Sequence, residues 1–428
     1  MSVIRLQEHQ QNRLDWLIQT VYTAWRMFVK NELTNHAAAT AFYFLLSAAP
    51  LVLLLTYGAQ YLAKLAETST PASMLLAALY DQFQMDRLAD LGFIPKKTAL
   101  SAGGVGLLTL LLSSRGLVNA LQSAFRVIFP DEAKRHFVFN WTLPLIIIPV
   151  AFALVGITIA SQALISFLAS VDILGADRGE LLGSLNLLLR VGLVWGVIYL
   201  VLRRMPLRRP PVASTLIVSG LATLTWGLLY LGFGHYYRVE KYQAVYGALG
   251  GVVFILIGAY LACLAFYFWA QFLYALTKVD VAALEKLFLG GGKDTQGASK
   301  LDGIVFARAN RLLAKYGHAF ADAETLIAEG DVSQTAFFLY SGKVGLFKEI
   351  GGQEKRLGEL AAGELFGEMA YLLNEHRTAT VRAEGEVTAL VLPPEMLEEL
   401  MRYSAPLARR IIGSLAGRLM RMNRATQG

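Results

Sequence analysis

The residues with the most chemical content lie in one stretch, Phe366-Gly367-Glu368-Met369-Ala370-Tyr371-Leu372-Leu373-Asn374-Glu375-His376-Arg377-Thr378-Ala379-Thr380-Val381. Gly367 lets a backbone approach a ligand closely and opens a short predicted helix whose N–H groups favour an anion. Glu368 offers a carboxylate that can accept from a sugar hydroxyl. Arg377 supplies a planar fork suited to a phosphate. Thr378 and Ala379 add a small hydroxyl and N–H groups. One acid for a sugar and one base for a phosphate fit a nucleotide whose phosphate carries a single charge. The same pair also reads as an exposed Glu–Arg contact, and the spacing alone does not choose between the two.

The elements that must position these residues are short. Strands bounded by glycine are predicted over Thr325–Ala328, Ala336–Ser341, Val344–Lys348, Arg356–Leu360, Thr380–Ala383 and Thr388–Leu392. Close-set strands of this kind indicate a small β-barrel or jelly roll. Pro393-Pro394 ends the last one. A helix over Ala405–Met422 carries Leu407, Ile411, Leu415 and Leu419 at four-residue spacing. A short helical segment, Val305–Tyr316, precedes the strands, and the run from Gly290 to Gly297 reads as a polar, glycine-rich linker.

The stretch resembles the phosphate-binding cassette of the cyclic nucleotide-binding domain family: F-G-E, a short helix, then R-[SAT]-A. The resemblance covers Phe320 to Asn423 and takes in Glu329-Gly330-Asp331, Gly342 and Gly363-Glu364-Leu365. It implies that Glu368 binds a 2′-hydroxyl and Arg377 the cyclic phosphate, with Phe366, Gly367, Met369, Thr378 and Ala379 completing the site. It implies cAMP or cGMP as a regulatory ligand, not a cofactor. Thr378 leans toward cGMP, and retention of Glu368 argues against a cyclic dinucleotide. The helix from Ala405 either caps the base, pairs with a second subunit in a homo-oligomer, or packs on the barrel. Few residues follow it in this sequence, too few for a helix-turn-helix, so a transcription factor is not expected.

The rest of the chain is of another kind. Hydrophobic residues make up 55% of the 428 and charged ones 17%, far from the usual globular balance. From Lys300 onward there are 16 of the 39 basic and 16 of the 32 acidic residues, leaving 23 and 16 upstream, so the net charge of +7 sits in the apolar part. Flanking long apolar runs, that excess points to anionic lipid, not nucleic acid. Cys263 is the only cysteine, which excludes an intrachain disulfide. The N-terminus lacks the apolar core of a cleaved signal peptide. Six stretches are long enough to cross a bilayer: Ala37–Leu62, Leu100–Leu121, Thr142–Leu168, Leu181–Leu202, Val212–Phe233 and Tyr246–Leu276. Ahead of them Leu14, Leu17, Val21, Trp25 and Phe28 recur at helical spacing, as in a helix lying on the inner membrane surface or packed on the bundle. With the N-terminus inside, short inner segments hold 11 Lys and Arg against 6 outside, which places both termini in the cytoplasm.

Two segments, His36 through Pro50 and Tyr246-Gly247-Ala248-Leu249-Gly250-Gly251, resemble the YihY/BrkB family of six-helix bacterial inner-membrane proteins. The chain departs from that family at Gly258, where Trp is common, and at Trp269-Ala270-Gln271, where the family has G-A-E. The candidate residues of this part are Pro50, expected to kink the first span, Arg115, Arg190, Tyr246, Gly247 and Gln271. Arg190 sits near mid-span, where a charge is costly and faces a partner or a cavity. Arg115, Asn119, Gln122 and Arg126 share one helical face. The expected domains are 1–36, an amphipathic helix; 37–280, six transmembrane helices; 281–303, the linker; and 304–428, the nucleotide-binding domain. With six His, none at metal-ligand spacing, no enzyme is expected, and the old ribonuclease label of the family finds no support. A regulated transporter or conduit is the leading reading, a membrane-tethered sensor the other.

Overall fold

The computed structural model describes residues 2–83, 102–130, 156–165, 167, 178–206, 208–236, 249–290, 300–306 and 309–426. They divide into two compact units, one of Ala24–Tyr274 and one made of Met1–Thr23 with Ala275–Gly428.

The first unit is helical. It holds the end of α1 (Ser2–Lys30), then α2 (Leu33–Ala66), α3 (Thr70–Phe83), α4 (Ala102–Ile128), α5 (Arg178–Arg204), α6 (Val212–Tyr236) and most of α7 (Gly250–Gly290). Among the described residues three helical stretches are long and apolar enough to cross a membrane: Gly183–Arg204, Val212–Phe233 and Gly250–Leu289. Leu187, Leu188, Ile217 and Leu231 on them are more than 60% exposed, an apolar outer surface that lipid, not water, accommodates. Six spans were expected. The first two lie on the long helices α2 and α4, whose side chains over 51–55 and 102–114 lie outside what the structure describes. Most of the third, over 142–168, lies outside the described residues. Helix α2 continues through Pro50.

The second unit has a six-stranded antiparallel sheet. After α8 (Lys300–Val305) and α9 (Asn310–Tyr316) come β1 (Gly317–Phe320), β2 (Thr325–Ile327), β3 (Ala336–Ile350), β4 (Gln353–Ala361) and β5 (Leu365–Phe366). Helix α10 (Glu368–Leu373), β6 (Thr380–Leu392), α11 (Pro394–Tyr403) and α12 (Ala405–Thr426) follow. The order is β1-β6-β3-β4, with β2 paired to β6 and β5 to β3. Two glycines read from the sequence as strand ends lie inside strands. Gly342 (φ 91°) sits where the β3–β6 register slips, and Gly385 (φ 85°) lies within β6. A Cβ at Gly342 would lie 2.6 Å from the Glu386 carbonyl oxygen, so the glycine is there for a bulge.

The expected linker begins as helix. Residues 281–290 continue α7, because Ala282-Ala283-Leu284-Glu285-Lys286-Leu287 contains no helix breaker. Val281, Leu284 and Phe288 are buried in one apolar cluster with Phe338, Leu390, Leu392, Leu397, Leu400, Leu407 and Ile411. The opposite side of the sheet has its own core, built on Ile327, Leu339, Val344, Phe366 and Val387. Helix α1 inverts the usual pattern. Gln19, Thr20 and Thr23 are buried while Leu14, Leu17, Val21 and Trp25 are exposed, and of the expected apolar stripe Phe28 is the buried member.

Candidate functional site

The cassette is built on the turn between β5 and α10. Gly367 has φ 77°, a left-handed conformation, and a Cβ there would meet Arg377 Nη1 at 2.8 Å and Ile327 Cδ1 at 3.0 Å. Only glycine satisfies both demands. Phe366 anchors the turn, 1% exposed, its ring stacked 5.4 Å from Phe337. Glu368, the first residue of α10, is 1% exposed, and Arg377 is 5% exposed.

Burying two opposite charges is tolerated only with partners. Arg377 donates from Nη1 to the Gly367 carbonyl at 2.5 Å, and from Nη2 to the Thr335 carbonyl at 2.5 Å and to Ser333 Oγ at 3.2 Å. Its Nε is buried with no hydrogen-bond partner among the described residues. Its main chain is fixed as well, since Gly330 N donates to Arg377 O at 2.8 Å and Arg377 N to Asp331 O at 2.9 Å. Burial pushes the guanidinium down from its ordinary value, while Asp331 and Glu368 nearby pull it up. It stays charged at neutral pH. Thr378 is exposed, Met369 and Ala379 half-buried.

Of the expected site residues, the structure brings Gly367, Glu368 and Arg377 together and excludes the reading of an exposed Glu–Arg pair, because both side chains are buried. Ser333 and Thr335 were not singled out, and Asp331 was read only as part of the Glu329-Gly330-Asp331 turn. The Glu329-Gly330-Asp331 turn and the small polar residues after it were the signal that could have found them.

In the helical unit, Arg190 donates to Gln162 Oε1 at 2.5 Å, a partner of the kind a mid-span charge requires. Gln271 is fully buried, accepting from Asn31 Nδ2 at 3.0 Å and donating to Met27 Sδ. Two amides thus meet at the position where a carboxylate was expected from the family pattern. The shared face on α4 is divided, with Arg115, Asn119 and Arg126 exposed and Gln122 buried. A cavity of about 650 Å³ between α2 and α4 is lined by Asn35, His36, Tyr43, Asn119 and Ser123 among others. Gly258 faces the Phe233 ring. Tyr246 and Gly247 lie outside the described residues.

The family model for virulence factor BrkB matches residues 24–287. The chain belongs to the BrkB family. A second model, the cyclic nucleotide-binding domain, matches residues 318–404, so the BrkB domain is joined to a domain of that kind. The BrkB chain is 28% identical over 293 residues to a UPF0761 membrane protein of Alkalilimnicola ehrlichii, covering 64% of this chain and 62% of that one. It is 36% identical over 101 residues to the cyclic AMP receptor protein of Thermus thermophilus, 23% of this chain and 47% of that one. Among solved structures, the Thermus thermophilus catabolite activator protein is 28% identical, with 31% of this chain and 60% of that chain covered and a TM-score of 0.27. The chain spans less than two thirds of each of these relatives.

Proposed function

We propose that this protein is a membrane protein whose BrkB domain is regulated by a cyclic mononucleotide, cAMP or cGMP, held at Gly367, Glu368, Arg377, Thr378 and Ala379. The observation that supports it is the buried Glu368–Arg377 pair around a left-handed Gly367, within a chain segment that matches a cyclic nucleotide-binding domain. A carboxylate and a guanidinium held this way match a ribose hydroxyl and a singly charged phosphate. In this reading the BrkB domain spans a bacterial inner membrane six times, both termini are cytoplasmic, and the chain is a transporter or conduit, not an enzyme. The three apolar stretches support a membrane location, and the basic bias of the inner loops supports that orientation.

The test is calorimetric titration of the full chain, reconstituted in lipid nanodiscs, with cAMP and with cGMP, followed by hydrogen exchange with and without the tighter ligand. Micromolar or tighter binding with altered exchange in residues 24–274 is expected. Binding with changes restricted to 318–404 gives the tethered-sensor reading instead, and no binding of either nucleotide rejects both.

A further inference from the structure

The apolar cluster beneath the cassette is shared between two sources. Tyr371 and Leu372, from the same short helix whose first residue is Glu368, pack against it. Val281, Leu284 and Phe288 of α7 form part of it. The Phe288 ring lies 4.3 Å from that of Phe338, and Arg410 of α12 donates to the Phe288 carbonyl, closing an orphan acceptor at the end of α7. A polar clasp holds the same segment of α7 from the side. Asp280 accepts from Arg311, from Lys315 at 2.5 Å and from Tyr316 at 3.2 Å, all on α9. Lys278 pairs with Glu399 of α11. Arg311 also donates to Gln19 Oε1 of α1 at 3.3 Å, and Gln19 Nε2 donates to the Val305 carbonyl at 3.3 Å. Helices α1 and α7 are the two described elements whose residues are divided between the units. Both are therefore held by residues of the nucleotide-binding unit.

We infer that nucleotide affinity and the docking of the α7 end, Ala275–Gly290, are thermodynamically linked, with α1 following through Arg311. The inference rests on the reading of Glu368–Ala379 as a cyclic-mononucleotide site and names the element that the site controls. Packed cores shift between discrete arrangements, so a ligand acts by favouring one of them. With α7 docked, both terminal nitrogens of Arg377 donate to the carbonyl oxygens of Gly367 and Thr335. A phosphate on the guanidinium competes for those N–H groups and displaces Gly367. Gly367 caps α10, so Tyr371 and Leu372 move with it against the cluster that holds Phe288. Linkage is reciprocal: if the nucleotide loosens α7, loosening α7 tightens the nucleotide.

The experiment titrates the full chain in nanodiscs with cAMP and cGMP, comparing wild type with Phe288→Ala and Asp280→Asn. Neither residue contacts the cassette arginine, and the second variant keeps the apolar cluster intact should the first fail to fold. Affinity for the tighter nucleotide is expected to rise roughly five-fold or more in each variant that folds. In the wild type, hydrogen exchange in 275–290 should quicken on adding that nucleotide. An unchanged affinity, or the fall that simple loss of structure would give, overturns the inference while leaving the proposed site standing. Absence of binding in the wild type overturns the site reading and this inference together.

Discussion

A fragment that starts at Lys300, where the sequence turns from glycine-rich to charged, should fold poorly, whereas one that starts at Ala275 should fold well. The shorter fragment loses Val281, Leu284 and Phe288, which are 1%, 0% and 4% exposed. Full burial of such a side chain contributes about 1.5–3 kcal/mol, so three supply roughly 5–9 kcal/mol as an upper figure, reached only against a fully extended unfolded chain. A domain of this size holds only about 5–15 kcal/mol in all. The polar side adds to the deficit, since Arg311, at 13% side-chain exposure, loses the carboxylate of Asp280. Urea unfolding of the two fragments followed by circular dichroism and tryptophan-independent tyrosine fluorescence gives the comparison. The 300–428 fragment should show a midpoint far below that of 275–428, or no cooperative transition. Equal midpoints would refute the reasoning and return the α7 end to the status of a tether.

Arg377→Ala in the full chain should remove most nucleotide binding, because truncating one member of a buried charged pair costs roughly 3–5 kcal/mol; calorimetry checks it, and an unaltered affinity would place the ligand elsewhere. Glu368→Gln, which keeps shape and one acceptor, should weaken binding by less. Gly116→Ala should destabilise the α2–α4 pair by about 1–3 kcal/mol, since the new Cβ would lie 2.4 Å from Cδ1 of the Tyr43 ring; a detergent-solubilised variant with the wild-type thermal midpoint would show that the ring moves aside freely.

How far the sequence reveals this molecule depends on whether the signal is local. The cassette was legible, because Gly367, Glu368 and Arg377 are close in sequence and each has a chemical reason for its type. Strand positions were legible too, but their lengths were not. Gly342 and Gly385 punctuate the chain as turns do, and only the partner strands show that they are bulges in β3 and β6. The destination of Val281, Leu284 and Phe288 was hidden for a different reason. At the end of a long apolar helix, residues that face a sheet and residues that face lipid have the same composition. Of the apolar stripe on α1, Phe28 is buried but Leu14, Leu17, Val21 and Trp25 are exposed, while the polar Gln19, Thr20 and Thr23 are buried. No periodicity announces that a helix will present its polar side to protein.

That inverted helix sets an order of events. Gln19 finds its partner at Val305, 286 residues further along the chain. At about 5–20 residues per second, a ribosome takes roughly 15–60 s to deliver it. Throughout that interval α1 has been made and its polar side has nothing to meet. Its exposed side, with Leu14, Leu17, Val21 and Trp25, can rest on a bilayer from the start. In the membrane reading proposed above, the lipid surface would serve as a waiting place for the first helix, and the nucleotide-binding unit, made later, supplies the partners of Gln19.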